Sequence, residues 1–308
     1  MEKPRTESFQ GRLLNLEARF TGSQIWMGPG WALLCGAVAS AGLDIGWRTL
    51  TSLLLALLLV DSLLGTVWSL VTSDRWALAA RTGGNPGQKS VPSALPYTLP
   101  GSPGYRLFHS LNERASRWRY NLWSRAGSSL LSLIFSALFA LVAAALLGEG
   151  SLLLTGVALL IAASRFALSG SREIIRLALA SCFLGGLAWL MGYVTFSDLA
   201  SLSGDQGLIA KPLLWAAIYA VVFHAYQLLS GEDLTRGATL LNLAQVAAAA
   251  VLVITKQPIL AGVVGLLLLA QMLLQPSLLS TGEGLWYLRR VQVFTMAAMM
   301  VMAVAAAI

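Results

Sequence analysis

V-D-S-L-L-G-T-V-W-S-L-V-T-S-D-R-W, from Val60 to Trp76, is the stretch that decides how this chain is read. It forms the lower half of an apolar run that carries a carboxylate, Asp61, at membrane depth. The run then leaves the apolar environment through Thr72, Ser73, Asp74 and Arg75. A carboxylate placed in hydrocarbon needs a polar partner or a watery cavity. The stretch therefore predicts a helix beside a cavity within a membrane bundle, open toward the loop that follows.

Composition supports a bilayer setting. Of 308 residues, 56% are hydrophobic and 11% are charged, against about 25% charged in an average soluble domain. Crossing a hydrocarbon core about 30 Å thick takes about 20 helical residues. Nine apolar segments meet or approach that length: Trp26–Leu43, Thr49–Val71, Ser129–Leu147, Ser151–Leu168, Leu177–Phe196, Leu208–Leu229, Ala238–Ile254, Ile259–Leu279 and Val291–Ile308. The expected fold is an all-α integral membrane protein with nine transmembrane helices. Residues 1–25 form a cytoplasmic N-terminal segment, and 26–308 a membrane domain with a long cytoplasmic loop at 73–127. The first segment follows a polar, basic stretch and lacks a small-residue cleavage site, so it reads as a retained span.

Charge placement gives the orientation, because cytoplasmic loops collect Lys and Arg. With nine spans and a cytoplasmic N-terminus, 18 of the 21 basic residues fall inside; only Arg48, Lys211 and Lys256 fall outside. The expected location is a bacterial inner membrane, with the net charge of +7 meeting anionic lipid and not nucleic acid. Cys35 and Cys182 lie in apolar spans and read as buried thiols, without disulfide or zinc.

The N-terminal segment places Leu13, Leu14, Leu16 and Phe20 at roughly helical spacing, which suits a surface helix as well as a loose tail. In the long loop, Thr82 to Pro103 is rich in Gly, Pro and Ser and reads as irregular. Tyr105 to Trp123 reads as an amphipathic helix at the inner interface, with Arg117 and Arg119 on its polar face and Arg114 at the edge. Trp31, Trp68, Trp76, Trp118 and Trp123 read as interfacial anchors. In the first span, Gly36 and Ser40 form a small-xxx-small pair suited to close helix packing. Gly185 and Gly186 in the fifth span weaken a helix tolerably.

The sixth span ends with His224 and Gln227, followed by Glu232 and Asp233. In the nine-span topology these lie on the same side as the end of the second span. Asp61/Asp74 and Glu232/Asp233 could then converge on one inward-facing cavity. The last three spans carry few polar atoms, chiefly Gln245, Gln257 and Gln271, and the methionines of the final helix read as adaptable packing.

Three stretches carry a resemblance: W-A-L-L-C-G-A-V-A-S from Trp31 to Ser40, S-L-L-G-T from Ser62 to Thr66, and E-D-L-T-R-G-A-T-L from Glu232 to Leu240. With the nine-span layout, they make the chain resemble the UbiA superfamily of intramembrane prenyltransferases, nearest the chlorophyll and bacteriochlorophyll synthase branch. Asp233 and Gly237 match the Asp-x-x-x-Gly that closes the family's second acidic motif. The resemblance implies two aspartate-rich motifs holding Mg²⁺ against an allylic diphosphate, since hard Mg²⁺ takes carboxylate oxygens. Here the first motif should fall at Val71 to Trp76, where V-T-S-D-R-W keeps only Asp74 and Arg75. In the second, Leu229 stands at the first aspartate position, leaving Glu232 and Asp233.

The resemblance thus implies the fold and argues against ordinary catalysis. The leading expectation is a relative that has lost Mg²⁺-dependent prenyl transfer and binds an isoprenoid, a long-tailed tetrapyrrole or a membrane complex. One alternative is an active prenyl or phytyl transferase with altered ligation: Asp74, Glu232 and Asp233 around one Mg²⁺, aided by Arg75, Arg114, Arg117 or Arg119. Another is a transporter or flippase. The metal candidates are Asp74 and Asp233. The ligand or diphosphate candidates are Asp61, Asp74, Arg75, Arg114, Arg117, His224, Glu232 and Asp233. His224 could be an axial ligand to a chlorin magnesium or a packing residue; Asp61 could be a structural acid or could line a ligand site.

Overall fold

The computed structural model describes residues 27–44, 46–73, 129–167, 173–197, 206–231 and 233–308, with backbone alone at 166–167, 206–209, 279 and 281. The expected surface helix before Gln24, the amphipathic helix at Tyr105–Trp123, and Asp74, Arg75, Arg114, Arg117, Arg119 and Glu232 lie outside these residues. So do Trp76, Trp118 and Trp123.

The described elements are all helices: α1 Pro29–Ala39, α2 Trp47–Thr72, α3 Ser129–Leu147, α4 Glu149–Ala167, α5 Glu173–Phe196, α6 Gln206–Ser230, α7 Leu234–Ile254, α8 Pro258–Leu273, α9 Gln275–Thr281 and α10 Gly284–Ala307. Each of the nine apolar segments overlaps a helix. Seven spans are long and apolar enough to cross a membrane: α2, α3, α5, Ala210–Ser230 within α6, α7, Pro258–Leu278 across α8 and α9, and α10. The chain is an all-α membrane protein.

The first segment is shorter than its apolar run. Pro29 opens α1 with a fixed φ, and the chain turns at Ala41, whose φ is +56°. The Ser40 hydroxyl bonds back to the Ala37 carbonyl at 2.7 Å. Eleven residues rise about 16 Å, half a bilayer core. Between α3 and α4 the connection is Gly148 alone, with φ +118°, a left-handed conformation that favours glycine.

The helix pairs approach through glycines. A Cβ on Gly36 of α1 would sit 1.9 Å from the Trp189 carbonyl oxygen, and one on Gly192 of α5 would sit 2.0 Å from the Leu33 oxygen. The two backbones therefore touch, as small residues permit between membrane helices. Gly36 carries this contact as its small-residue pattern predicts, but its counterpart is Gly192, which no spacing within α1 could reveal. In α5, Gly185 receives the Phe223 ring and Gly186 the Ala216 carbonyl. These two glycines make room for α6.

Further packing joins α6 to α7, α7 to α8, and α8 and α1 to α10. The last three spans hold more polar structure than their Ala/Leu/Val composition suggests. The Gln245 amide donates to Gln271 Oε1 at 2.8 Å, the Gln271 and Gln275 amides donate to Asn242 Oδ1 at 3.0 and 2.8 Å, and the Thr295 hydroxyl donates to Gln271 Oε1 at 3.3 Å. Gln245, Gln271 and Thr295 are buried. Expelling such groups from water favours their mutual bonding, and the network ties α7, α8, α9 and α10 together. Gln257 instead donates to the Ala305 carbonyl. Met299 and Met302 of α10 are buried packing residues.

Three local expectations change. Trp68 is not an interfacial anchor: it is buried, and its ring stacks on Phe183 at 4.6 Å. Trp31 packs partly buried against the core, its indole N–H enclosed. Of the two free cysteines, Cys35 is buried as expected, whereas Cys182 is exposed, on the outward side of α5.

Candidate functional site

Two spans depart from α-helical geometry at one place each. In α2 the segment Leu58–Leu64 is a π-helix, and in α5 so is Cys182–Leu187. At the first, the Gly65 N–H reaches back five residues to the Val60 carbonyl. The Thr66 hydroxyl accordingly turns back onto the Ser62 carbonyl at 2.5 Å. A hydroxyl can satisfy a carbonyl displaced from the ladder where no water is at hand. π-Bulges inside α-helices are frequent at functional sites.

The two bulges share a crevice. It is lined by Val60 and Leu64 from the first and by Phe183, Leu184 and Leu187 from the second. Ala158, Ala188, Met191 and Pro29 complete the walls. The lining residues are all apolar. The room inside it for a water-sized sphere is about 10 Å³, roughly one water, so a hydrocarbon chain would enter only as the walls move apart.

The crevice lies beside the Asp61 turn of α2, but the carboxylate is not part of its lining. Asp61 is exposed, while its neighbours Leu59, Val60, Leu63 and Leu64 are buried. The reason is angular: consecutive helical residues point about 100° apart, and the bulge directs Val60 and Leu64 toward α5. Asp61 continues the outward stripe of Trp47, Leu50, Leu54 and Leu58.

His224 is half-buried on α6. Its Nδ1 lies 3.2 Å from the Ser181 Oγ, which itself donates to the Leu177 carbonyl at 2.7 Å. Which of Nδ1 and Oγ donates depends on the ring tautomer; in the tautomer with Nδ1–H, the Oγ accepts from it and Nε2 carries the lone pair. Gln227 Oε1 stands 3.5 Å from the same hydroxyl, at the edge of hydrogen-bonding distance. Ser181 immediately precedes the second bulge, so one irregular turn of α5 both orients His224 and builds half of the crevice.

Asp233 has a local role. It is the N-cap of α7, accepting the Arg236 N–H at 3.4 Å, and its other oxygen pairs with the Arg236 guanidinium at 3.1 Å. An anion at a helix N-terminus is favourable in itself. Gly237, its companion in the acidic-motif resemblance, packs against Leu229 and the Ala225 carbonyl. The Asp233–Arg236 pair is solvent-exposed, so it contributes little beyond the cap. Among the described residues, no three His, Cys, Asp or Glu side chains are grouped to hold a metal ion. Asp74 and Glu232 lie outside them. Sequence reasoning missed Ser181, Phe183 and Leu187, for which Gly185-Gly186 was the nearest signal.

No family model, characterised protein or solved structure matches this chain.

Proposed function

We propose that this protein is a UbiA-like membrane protein that binds a long-tailed lipid, an isoprenoid or an isoprenoid-bearing tetrapyrrole, without ordinary Mg²⁺-dependent prenyl transfer. The observation that carries this reading is the second π-bulge. It borders an apolar crevice with Phe183, Leu184 and Leu187, and Ser181 beside it stands 3.2 Å from His224 Nδ1. A hydrocarbon tail would lodge here as the crevice opens, and the Nδ1–H tautomer of His224 would offer Nε2 to a chlorin magnesium. A hydrogen bond at the other ring nitrogen is the usual way a ligating histidine is held. The sequence supports the loss of metal-assisted chemistry, since V-T-S-D-R-W and Leu229 stand where the resemblance implies further aspartates. We place the chain in a bacterial inner membrane with nine spans and a cytoplasmic N-terminus, on the partition of 18 basic residues against three.

The test is ligand capture. Purified protein is incubated with geranylgeraniol or an esterified magnesium chlorin, washed, and extracted for mass spectrometry and absorption spectroscopy. Leu64→Trp, which fills the crevice, should lower retention of both lipids; His224→Leu should lower retention of the chlorin only. Equal retention by both variants and the parent refutes the site. Mg²⁺-dependent release of diphosphate from labelled geranylgeranyl or phytyl diphosphate would replace this reading with an active transferase.

A further inference from the structure

The outward face of α2 carries a carboxyl group that no described residue meets. Trp47, Leu50, Leu54 and Leu58 form an exposed apolar stripe, with Trp47 80% and Leu54 58% accessible, and Asp61 continues it. Asp61 lies 14 residues beyond Trp47 and 11 before Thr72, roughly 21 Å and 16 Å along the helix, and so close to the middle of the span. Its carboxylate makes no hydrogen bond or ion pair with any described residue. Intramembrane acids pair with other groups or face a wet cavity, and the crevice of α2 is apolar and lies on another face.

Charge complementarity selects the occupant. Among the described residues, the basic side chains stand toward the ends of their helices: Arg48, Arg176, Lys211, Arg236, Arg289 and Arg290 lie in the first two turns of α2, α5, α6, α7 and α10, Arg165 lies in the last turn of α4, and Lys256 follows α7. A second copy of the chain would bring no mid-span cation from these residues, only a second carboxylate. We propose that the Asp61 face of α2 is a docking surface for a membrane-spanning helix of another protein that carries a Lys or Arg at mid-bilayer. Trp47, Leu50, Leu54 and Leu58 would pack along its apolar side. The reading is independent of lipid binding, which uses Val60 and Leu64.

The probe is a leucine-rich membrane-spanning peptide with one central lysine, compared with its all-leucine counterpart. Each is labelled and reconstituted with the full chain in phosphatidylcholine vesicles, and association is read by energy transfer. The lysine peptide should associate about tenfold more tightly. That preference should vanish in Asp61→Asn and persist in Asp61→Glu, while thermal melts confirm that both variants fold. Equal association of the two peptides, or a lysine preference that survives Asp61→Asn, overturns the proposal. Asp61-dependent association between two labelled copies of the chain, with no preference for the lysine peptide, overturns it in favour of self-assembly.

Discussion

Replacing Gly36 by Ala should destabilise the bundle even though alanine is the better helix former. The added Cβ would lie 1.9 Å from the Trp189 carbonyl oxygen and 2.9 Å from both the Trp189 carbonyl carbon and the Tyr193 nitrogen. Real Cβ contacts essentially never fall below 3.0 Å, so α1 and α5 must separate by about 1 Å. All three obstacles are backbone atoms inside α5, so no side-chain rotation relieves them. Separation also loosens the facing contact at Gly192, whose own Cβ position lies 2.0 Å from the Leu33 oxygen. Overpacking costs typically about 1–3 kcal/mol and occasionally more. The gain in helix propensity is at most about 1 kcal/mol. A backbone clash at 1.9 Å belongs at the upper end, leaving a net loss of about 2 kcal/mol or more. At roughly 2–4 °C per kcal/mol for a chain larger than 150 residues, the melting temperature should fall by about 5 °C.

Cys35 is fully buried one position away, so its reaction with a fluorogenic maleimide in detergent reports the separation of α1 from α5. Exposed Cys182 is first replaced by Ser to remove its signal. Gly262→Ala is the control, because its added Cβ meets nothing within 4 Å, and it should be neutral or slightly stabilising. A Gly36→Ala protein that melts with the parent would refute the close approach of α1 and α5.

Gln271→Leu removes a side chain with three polar partners, Asn242, Gln245 and Thr295. It should cost about 1–2 kcal/mol in a denaturation titration, and an unchanged midpoint would count against the network as interhelical glue. Asp233→Ala should cost about 1 kcal/mol as a lost N-cap, whereas Asp233→Asn, which still accepts the Arg236 N–H, should remain close to the parent. Equal losses from both would point to a role for the charge itself. Asp61→Leu should favour insertion of the isolated α2 segment by about 3 kcal/mol in a translocon insertion assay; no change would place Asp61 away from mid-span.

Composition and run length place the chain in a bilayer as a bundle of apolar helices, because hydrocarbon demands long apolar runs with every backbone group bonded internally. The nine segments each meet a helix, and Gly36 announced a close contact. Fold class was legible because length and apolarity are local properties. What only the tertiary structure decided was direction and partnership. Asp61 suggested a polar cavity, yet one π-bulge turns Val60 and Leu64 inward and leaves Asp61 outside. Trp68 looked interfacial until Phe183, more than a hundred residues away, stacked on it. Asp233, singled out as a carboxylate of the acidic-motif resemblance, also caps the helix that follows it, in company with Arg236. Gln245 and Gln271, isolated in the sequence, belong to one network with Asn242, Gln275 and Thr295. Helical periodicity fixes where a side chain lies around its own helix only while the register is regular, and it never says which helix comes to meet it. Those choices are made by close packing between segments distant in the chain.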